Sequence, residues 1–260
     1  MARCRDAEKQ RDKAEAKSDE ARPRGFVIDF KGDLKASAVP SLREEVSAIL
    51  EVATADDQVV VRLDNHGGVV HEHGLAASQL VRIREKGIPL TVSVDKVAAS
   101  GGYLMACVAD KIIAAPFAIL GSIGVIAQLP NFNRLMDSHG IDFEQVTAGK
   151  YKRNVTMFGV NTDEDRAKLK EELEDVHKLF TSAVGKYRPN LDLNKVTTGE
   201  HWYGKQALEL KLVDQLLTSD DYLCEASENA DLYELEFVRK KPFLEKIFSS
   251  TARLFNSDGY

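Results

Sequence analysis

A chain of 260 residues with 43% hydrophobic content is long enough to bury a sizeable core, and it reads most simply as one large domain with attachments. A formal net charge of −6 and a pI near 5.6 leave no basic excess for neutralising phosphates, which argues against nucleic acid as a main partner and against bulk-charge binding to anionic lipid. Cys4, Cys107 and Cys224 are widely spaced without a C-x-x-C pair, so neither a disulfide framework nor a zinc site is indicated, and Cys107, inside an apolar run, is expected to pack. No run approaches the roughly 20 apolar residues that span a bilayer and no signal-peptide pattern opens the sequence, so the chain as it stands is expected to be soluble.

Residues 1–24 carry mixed-sign charge and alanine with almost no large apolar side chain, which predicts a solvated helix or a disordered lead ending near Pro23. From Gly25 the pattern changes. Phe26-Val27-Ile28-Asp29-Phe30 is rich in β-formers, and further apolar runs begin near Val59 and Leu90, a repeat of about thirty residues that suits βαβ units. The spacers place Val39, Leu42, Val46 and Leu50, then Leu75, Leu80 and Ile83, at helical intervals. Both predict crossover helices, and hence an α/β fold with a parallel sheet flanked by helices. Strands are also expected at Lys111–Ala115 and Phe143–Thr147. The clearest helix runs from Asp163 to Tyr187, with Thr162 as N-cap, acidic residues in its first turn, and a stripe of Leu169, Leu173, Val176, Phe180 and Val184. A short helix follows at Gly204–Leu210, then Leu212-Val213-Asp214. The tail sets Phe243, Ile247, Phe248 and Phe255 among polar residues, to pack on its own domain or to dock on a partner subunit or membrane surface.

Two glycine turns fall where an open α/β sheet keeps its site, beyond the carboxyl ends of the strands. One is Asp64-Asn65-His66-Gly67-Gly68; the other is Lys96-Val97-Ala98-Ala99-Ser100-Gly101-Gly102-Tyr103, between a strand-like and a helix-like run. A serine at a strand-to-helix turn has its hydroxyl held outward beside exposed backbone N–H groups, the geometry of a nucleophile; an ordinary tight turn has the same letters. Donors from Gly68 and Gly101 together could cradle a carbonyl oxygen, as acyl transfer requires. Neither turn matches a phosphate loop or a dinucleotide fingerprint, so no nucleotide cofactor is expected. His66, His71 and His73 cluster after the first turn, but residues two apart on a helix point to different sides. Solvent-facing or capping histidines are therefore expected, with no metal centre, and a triad on His66 has no acid assigned to it. A lysine is the alternative base, provided burial depresses its pKa from about 10.4. Lys152, in Gly149-Lys150-Tyr151-Lys152-Arg153, precedes an apolar stretch, though pattern alone does not separate it from its basic neighbours.

Taken together, the Gly67-Gly68 turn, Ala98-Ala99-Ser100-Gly101-Gly102-Tyr103, Gly121-Ser122-Ile123-Gly124-Val125, Gly149-x-x-Lys152 and Gly199-Glu200-His201-Trp202-Tyr203-Gly204 resemble the bacterial signal peptide peptidase A family, most nearly its SohB branch, from about Phe26 to Asp221. The resemblance implies a ClpP/crotonase-like spiral of βα units over residues 25–221, with residues 222–260 as an extension. It implies a serine endopeptidase with Ser100 as nucleophile, Lys152 as general base, Gly68 and Gly101 as oxyanion donors, and no cofactor. The Ser122 hydroxyl either orients the lysine or stabilises its own loop. Peptides, apolar or membrane-derived, are the implied substrates. In half-length members the dyad resembles one completed between neighbouring subunits, so a homo-oligomer is implied, and with it a bacterial inner-membrane protein facing the periplasm through an anchor outside this chain. Asn65-His66 stands where the family commonly has Ser-Pro, which alters the first turn. Two other readings share the fold: a crotonase-type acyl-CoA enzyme, needing no nucleophilic serine, and an oligomeric scaffold without turnover.

Overall fold

The computed structural model describes residues 22–238. Strand β1 (Arg24–Gly32) leads through helix α1 (Val39–Val52) to β2 (Gln58–Asn65), and α2 (Val70–Glu85) returns the chain to β3 (Leu90–Val94). A short β4 (Val97–Ala99) runs into α3 (Gly101–Cys107), followed by β5 (Lys111–Ala114), β6 (Ile119–Gly121), a small α4 (Asn133–Ser138) and the long α5 (Asp163–Tyr187). The rest of the chain supplies α6 (Leu193–Val196), β7 (His201–Tyr203), α7 (Gly204–Glu209), β8 (Gln215–Leu216), α8 (Ser219–Asn229) and β9 (Asp231–Leu235).

Among the described residues these strands form one nine-stranded sheet, ordered β7-β6-β4-β2-β3-β5-β8, with β1 beside β2 and β9 beside β1. Every pairing is parallel except β6–β7, as crossover connections require. Strand β2 pairs with β1 along Gln58–Asn65 on one side, and on the other it has neighbours on two levels: β3 along Val59–Arg62, then β4 at Asn65 opposite Ala98. That step curls the sheet. It brings the carboxyl end of β2 directly against the turn that follows β4, which is what assembles the site.

The core lies between the sheet and α1, α2 and α3. Ile28, Phe30, Val59, Val61, Leu90, Val92 and Ile112 meet Leu42, Val46, Ile49, Leu80 and Ile83 in one continuous apolar cluster. Tyr103 is fully buried within it, its hydroxyl donating to the Leu212 carbonyl at 2.9 Å, which ties the expected Leu212-Val213-Asp214 segment to α3. Asp214 in turn accepts from the Ile112 N–H at 2.8 Å and pairs with Arg188 at 2.7 Å, anchoring the end of α5 to β5.

Sequence expectations and structure agree closely for β1, β2, β3, β5 and α5. The latter starts on a capping box in which Thr162 Oγ1 accepts from the Asp165 N–H at 3.1 Å and the Thr162 N–H donates to Asp165 Oδ2 at 2.9 Å. Phe143–Thr147, expected as a strand, is irregular and exposed: a strand needs a partner edge, and Phe143 instead packs on Phe158, ring centroids 5.8 Å apart. Leu75, expected on the inner stripe of α2, is 44% exposed, because the helix turns His73, Ala76, Ala77, Leu80 and Ile83 inward. Past residue 221, from where an extension was expected, helix α8 leads into β9, which joins the sheet along β1, with Phe26 and Tyr233 rings 6.2 Å apart. The charged lead before residue 22 and the apolar tail residues Phe243, Ile247, Phe248 and Phe255 lie outside the described residues.

Candidate active site

Ser100 sits between the last residue of β4 and the first of α3 with φ 52° and ψ −121°, in a region that L-residues with a side chain rarely enter. Two backbone bonds fix it there: its N–H donates to the Gly121 carbonyl at 2.8 Å, and its carbonyl accepts from the Leu104 N–H at 3.0 Å. The serine is half-buried on the wall of a cavity of about 1050 Å³ that also holds His66, Gly68, Ser122, Gly124 and residues of α5. The strained strand-to-helix turn expected around the serine is present, with the backbone shape that a nucleophile elbow uses.

The first glycine turn is pressed against this serine. Gly67 has φ 84°, and a Cβ there would stand 2.7 Å from the Ala99 carbonyl oxygen and the Gly101 nitrogen, and 2.8 Å from Ser100 Cβ. Only glycine satisfies both demands at that position. Gly68 follows on the cavity wall and Gly101 opens α3 directly after Ser100, so both residues expected as oxyanion donors lie beside the serine. Ser122, also at positive φ (51°), lies in the same cavity, its N–H donating to the Glu200 carbonyl at 2.6 Å. The Gly199–Tyr203 segment packs here as well: a Cβ on Gly121 would meet the Trp202 ring at 2.7 Å.

A second, smaller space of about 180 Å³ opens beside Ser100, walled mainly by Gly74, Leu104, Val125, Val176, Leu179 and Phe180. It is apolar. A side chain carried on a carbonyl held at Ser100 would find hydrocarbon there.

Lys152 is exposed in the turn after Gly149, and it lines a different cavity of about 670 Å³ with Ala127, Leu129, Arg153 and Arg166. Within one chain, then, Ser100, Gly68, Gly101 and Ser122 come together and Lys152 does not join them. The Ser100 cavity of the same chain does carry a lysine, Lys170 of α5, 3.7 Å from Glu174. His66 stands exposed on that wall, and His177 contacts the Thr197 carbonyl at 2.9 Å. His71 points to solvent as expected, whereas His73 is completely buried and contacts Asn65. The sequence reading missed this pair. An Asn closing a strand just before Gly-Gly is the turn signal that could have revealed half of it. Burial raises the Cys107 thiol to about 12, so it packs as an inert side chain.

The model of peptidase family S49 matches residues 82–233, and that of the family's N-terminal region matches residues 2–80. The chain belongs to peptidase family S49. Over 234 residues it is 52% identical to the "Probable protease SohB" of Haemophilus influenzae, covering 90% of this chain and 66% of that protein. Over 225 residues it is 57% identical to the "Probable protease SohB" of Buchnera aphidicola subsp. Acyrthosiphon pisum, covering 86% of this chain and 67% of that one. It thus spans about two thirds of the length of these curated relatives. The fold is shared with two solved structures of a protein named "1510-N membrane-bound stomatin-specific protease". One is a serine-to-alanine mutant, with TM-score 0.57 and 12% identity, covering 84% of this chain and 100% of that one. The other is a lysine-to-alanine mutant in complex with a substrate peptide, with TM-score 0.54 and 13% identity, covering 90% and 100%. The S49 fold is accordingly the α/β architecture expected, a curled parallel sheet with flanking helices. Among the described residues no helix is long and apolar enough to cross a membrane.

Proposed function

We propose that this S49 chain is a serine endopeptidase in which Ser100 attacks the peptide carbonyl and Lys152 of a second copy of the chain serves as general base. The observation that carries this reading is the strained Ser100 turn held against the Gly67-Gly68 turn on the wall of a large cavity. The amine of Lys152, unprotonated, takes the Ser100 hydroxyl proton as the oxygen bonds to the carbonyl carbon. The Gly68 and Gly101 N–H groups receive the developing oxyanion. The C–N bond then breaks, the proton passes to the leaving amine, and water hydrolyses the acyl ester by the same route. Ser122 is assigned the orientation of the incoming lysine.

A lysine acts as a base only where it is withdrawn from water. Lys152 is exposed in the single chain, and the segment around it exposes Ile126, Leu129, Leu135, Ile141, Val146 and Val160; this supports a neighbouring subunit as the cover that completes the dyad. The apolar space beside Ser100 supports substrates with an apolar side chain at the cleaved bond, in keeping with membrane-derived peptides. The solved neighbour whose lysine was replaced while it held a substrate peptide supports the role given to lysine. The name "membrane-bound" on that neighbour supports placement at a membrane; the bacterial inner membrane with the site on its periplasmic face is the location proposed.

Covalent labelling by a serine-directed acylating probe tests the assignment. Modification at Ser100 that disappears in Lys152→Ala is the expected result. An unlabelled Ser100 with coenzyme A binding would favour acyl-CoA chemistry, and an unlabelled Ser100 without it a scaffold.

A further inference from the structure

Asn65 and His73 are both 0% exposed, deep beneath the two turns that form the site. Asn65 closes β2. Its Oδ1 accepts from the Gly67 N–H at 2.8 Å and lies 3.2 Å from His73 Nε2, a hydrogen bond in the tautomer that carries its proton on Nε2, while its Nδ2 lies 3.2 Å from Met105 Sδ on α3. The other ring nitrogen of His73, Nδ1, is 3.0 Å from the Val69 carbonyl oxygen. One buried amide and one buried imidazole therefore link the end of β2, the glycine turn, α2 and α3.

The surroundings are stripped of side chains to admit this pair. A Cβ on Gly101 would fall 2.5 Å from His73 Cγ, one on Gly102 would fall 2.1 Å from the Asn65 carbonyl oxygen, and one on Gly32 would fall 2.2 Å from Asn65 Cγ. Burying two polar side chains costs free energy that apolar residues of similar volume would not incur, so their benefit is sought in geometry. His73 also lines the apolar space beside Ser100, alongside Gly68 and Gly101.

We propose that Asn65 and His73 are positioning residues: His73, through Asn65, holds the Gly67 N–H and thereby sets where the Gly68 N–H points beside Ser100. The proposal rests on the peptidase reading above. With His73 detached, the Asn65 amide is free to rotate and the turn keeps its contacts with Ser100 but loses its bond from below.

The two ring nitrogens face two different oxygens, so each can be replaced by itself. His73→Asn can reach the Val69 carbonyl but not Asn65; His73→Gln can reach Asn65 Oδ1. We expect His73→Asn to lower kcat by about 10- to 100-fold with KM changed less than about twofold, since a small misplacement of a catalytic donor is costly. His73→Gln should restore kcat to within about threefold of the original. Amide hydrogen exchange at Gly67 should be faster in His73→Asn and unchanged in His73→Gln. Asn65→Ala provides a second route. Its loss should match that of His73→Asn, and the double variant should be no worse than either, because the two act as one unit. Unchanged kcat in His73→Asn, or equal losses in the Asn and Gln variants, overturns the proposal. A wild-type protein that neither cleaves peptide nor is acylated at Ser100 would defeat the peptidase reading instead, and Gly67 exchange in the two variants would then decide the pairing alone.

Discussion

Gly67→Ala isolates the contact between the two turns, because its cost divides into parts that a second variant can separate. The added methyl would have to adopt φ 84°, which costs an L-residue about 1–2 kcal/mol. It would also stand 2.7 Å from two backbone atoms, where ordinary contact begins at 3.4 Å, so the turns must part by about 0.7 Å. Overpacking of this kind adds about 1–3 kcal/mol, for about 2–5 kcal/mol in all. Displacing one donor by that distance takes it out of hydrogen-bond range of the oxyanion, and kcat should fall by about 100-fold or more. Gly87→Ala is the control, since Gly87 has φ 78° with nothing within 4 Å of its Cβ and therefore meets the conformational cost alone. Urea unfolding and steady-state peptide cleavage should show Gly87→Ala about 1–2 kcal/mol less stable at full activity and Gly67→Ala worse in both. Equal unfolding midpoints for the two, with Gly67→Ala still fully active, would refute the claim that the turns are in functional contact.

Two further outcomes follow from single residues. Asp57 accepts from the Arg24 guanidinium at 2.7 Å, the Arg24 N–H at 2.8 Å and the Thr54 N–H at 2.8 Å, and the Arg24 bond foremost holds its carboxyl well below the usual range despite burial. Its stabilisation is therefore complete above about pH 4 and lost as pH falls through the lowered folded value. Asp57→Asn should remove about 2–3 kcal/mol at neutral pH and flatten the acid limb of unfolding midpoint against pH; a limb as steep as the original would contradict the assignment. Gly74 lines the apolar space beside Ser100 with nothing within 4 Å of its Cβ. Gly74→Leu should fill that space and shift cleavage from substrates with Leu or Phe before the scissile bond toward those with Ala, read as a ratio of kcat/KM; an unchanged ratio would place the substrate side chain elsewhere.

What could be read from the letters alone was whatever depends on local pattern. The Val59-Val60-Val61 run and the β-former-rich Leu90-Thr91-Val92-Ser93-Val94 marked parallel strands, and Thr162 ahead of an acidic first turn marked the start of α5. Patterns that depend on a partner were less legible. Phe143 and Val146 sit in a β-like string but meet no strand edge, and Val146 is 96% exposed. The three-residue strands β4 and β6 are too short to carry a period, yet their pairing at Val97–Ile119 is what sets Ser100 beside Gly121. In the site, Ser100 and Gly68 line both adjoining cavities, with Ser122 on the larger and Gly101 on the smaller, and these turn positions, rich in glycine and small residues, are visible in sequence. His73 escaped because a histidine on an otherwise apolar helix face gives no sign that a buried amide waits eight residues earlier. Lys152 stands apart, exposed in the turn after Gly149, and it is the proposed second copy of the chain that would cover it.

The central claim, an active site completed by two copies of the chain, is tested most directly by mixing inactive Ser100→Ala with inactive Lys152→Ala protein and measuring peptide cleavage. Recovered activity, rising with the fraction of mixed assemblies, is the result predicted. No recovery after subunit exchange, together with loss of activity in Lys170→Met, would contradict it and put the base in the same chain as the serine.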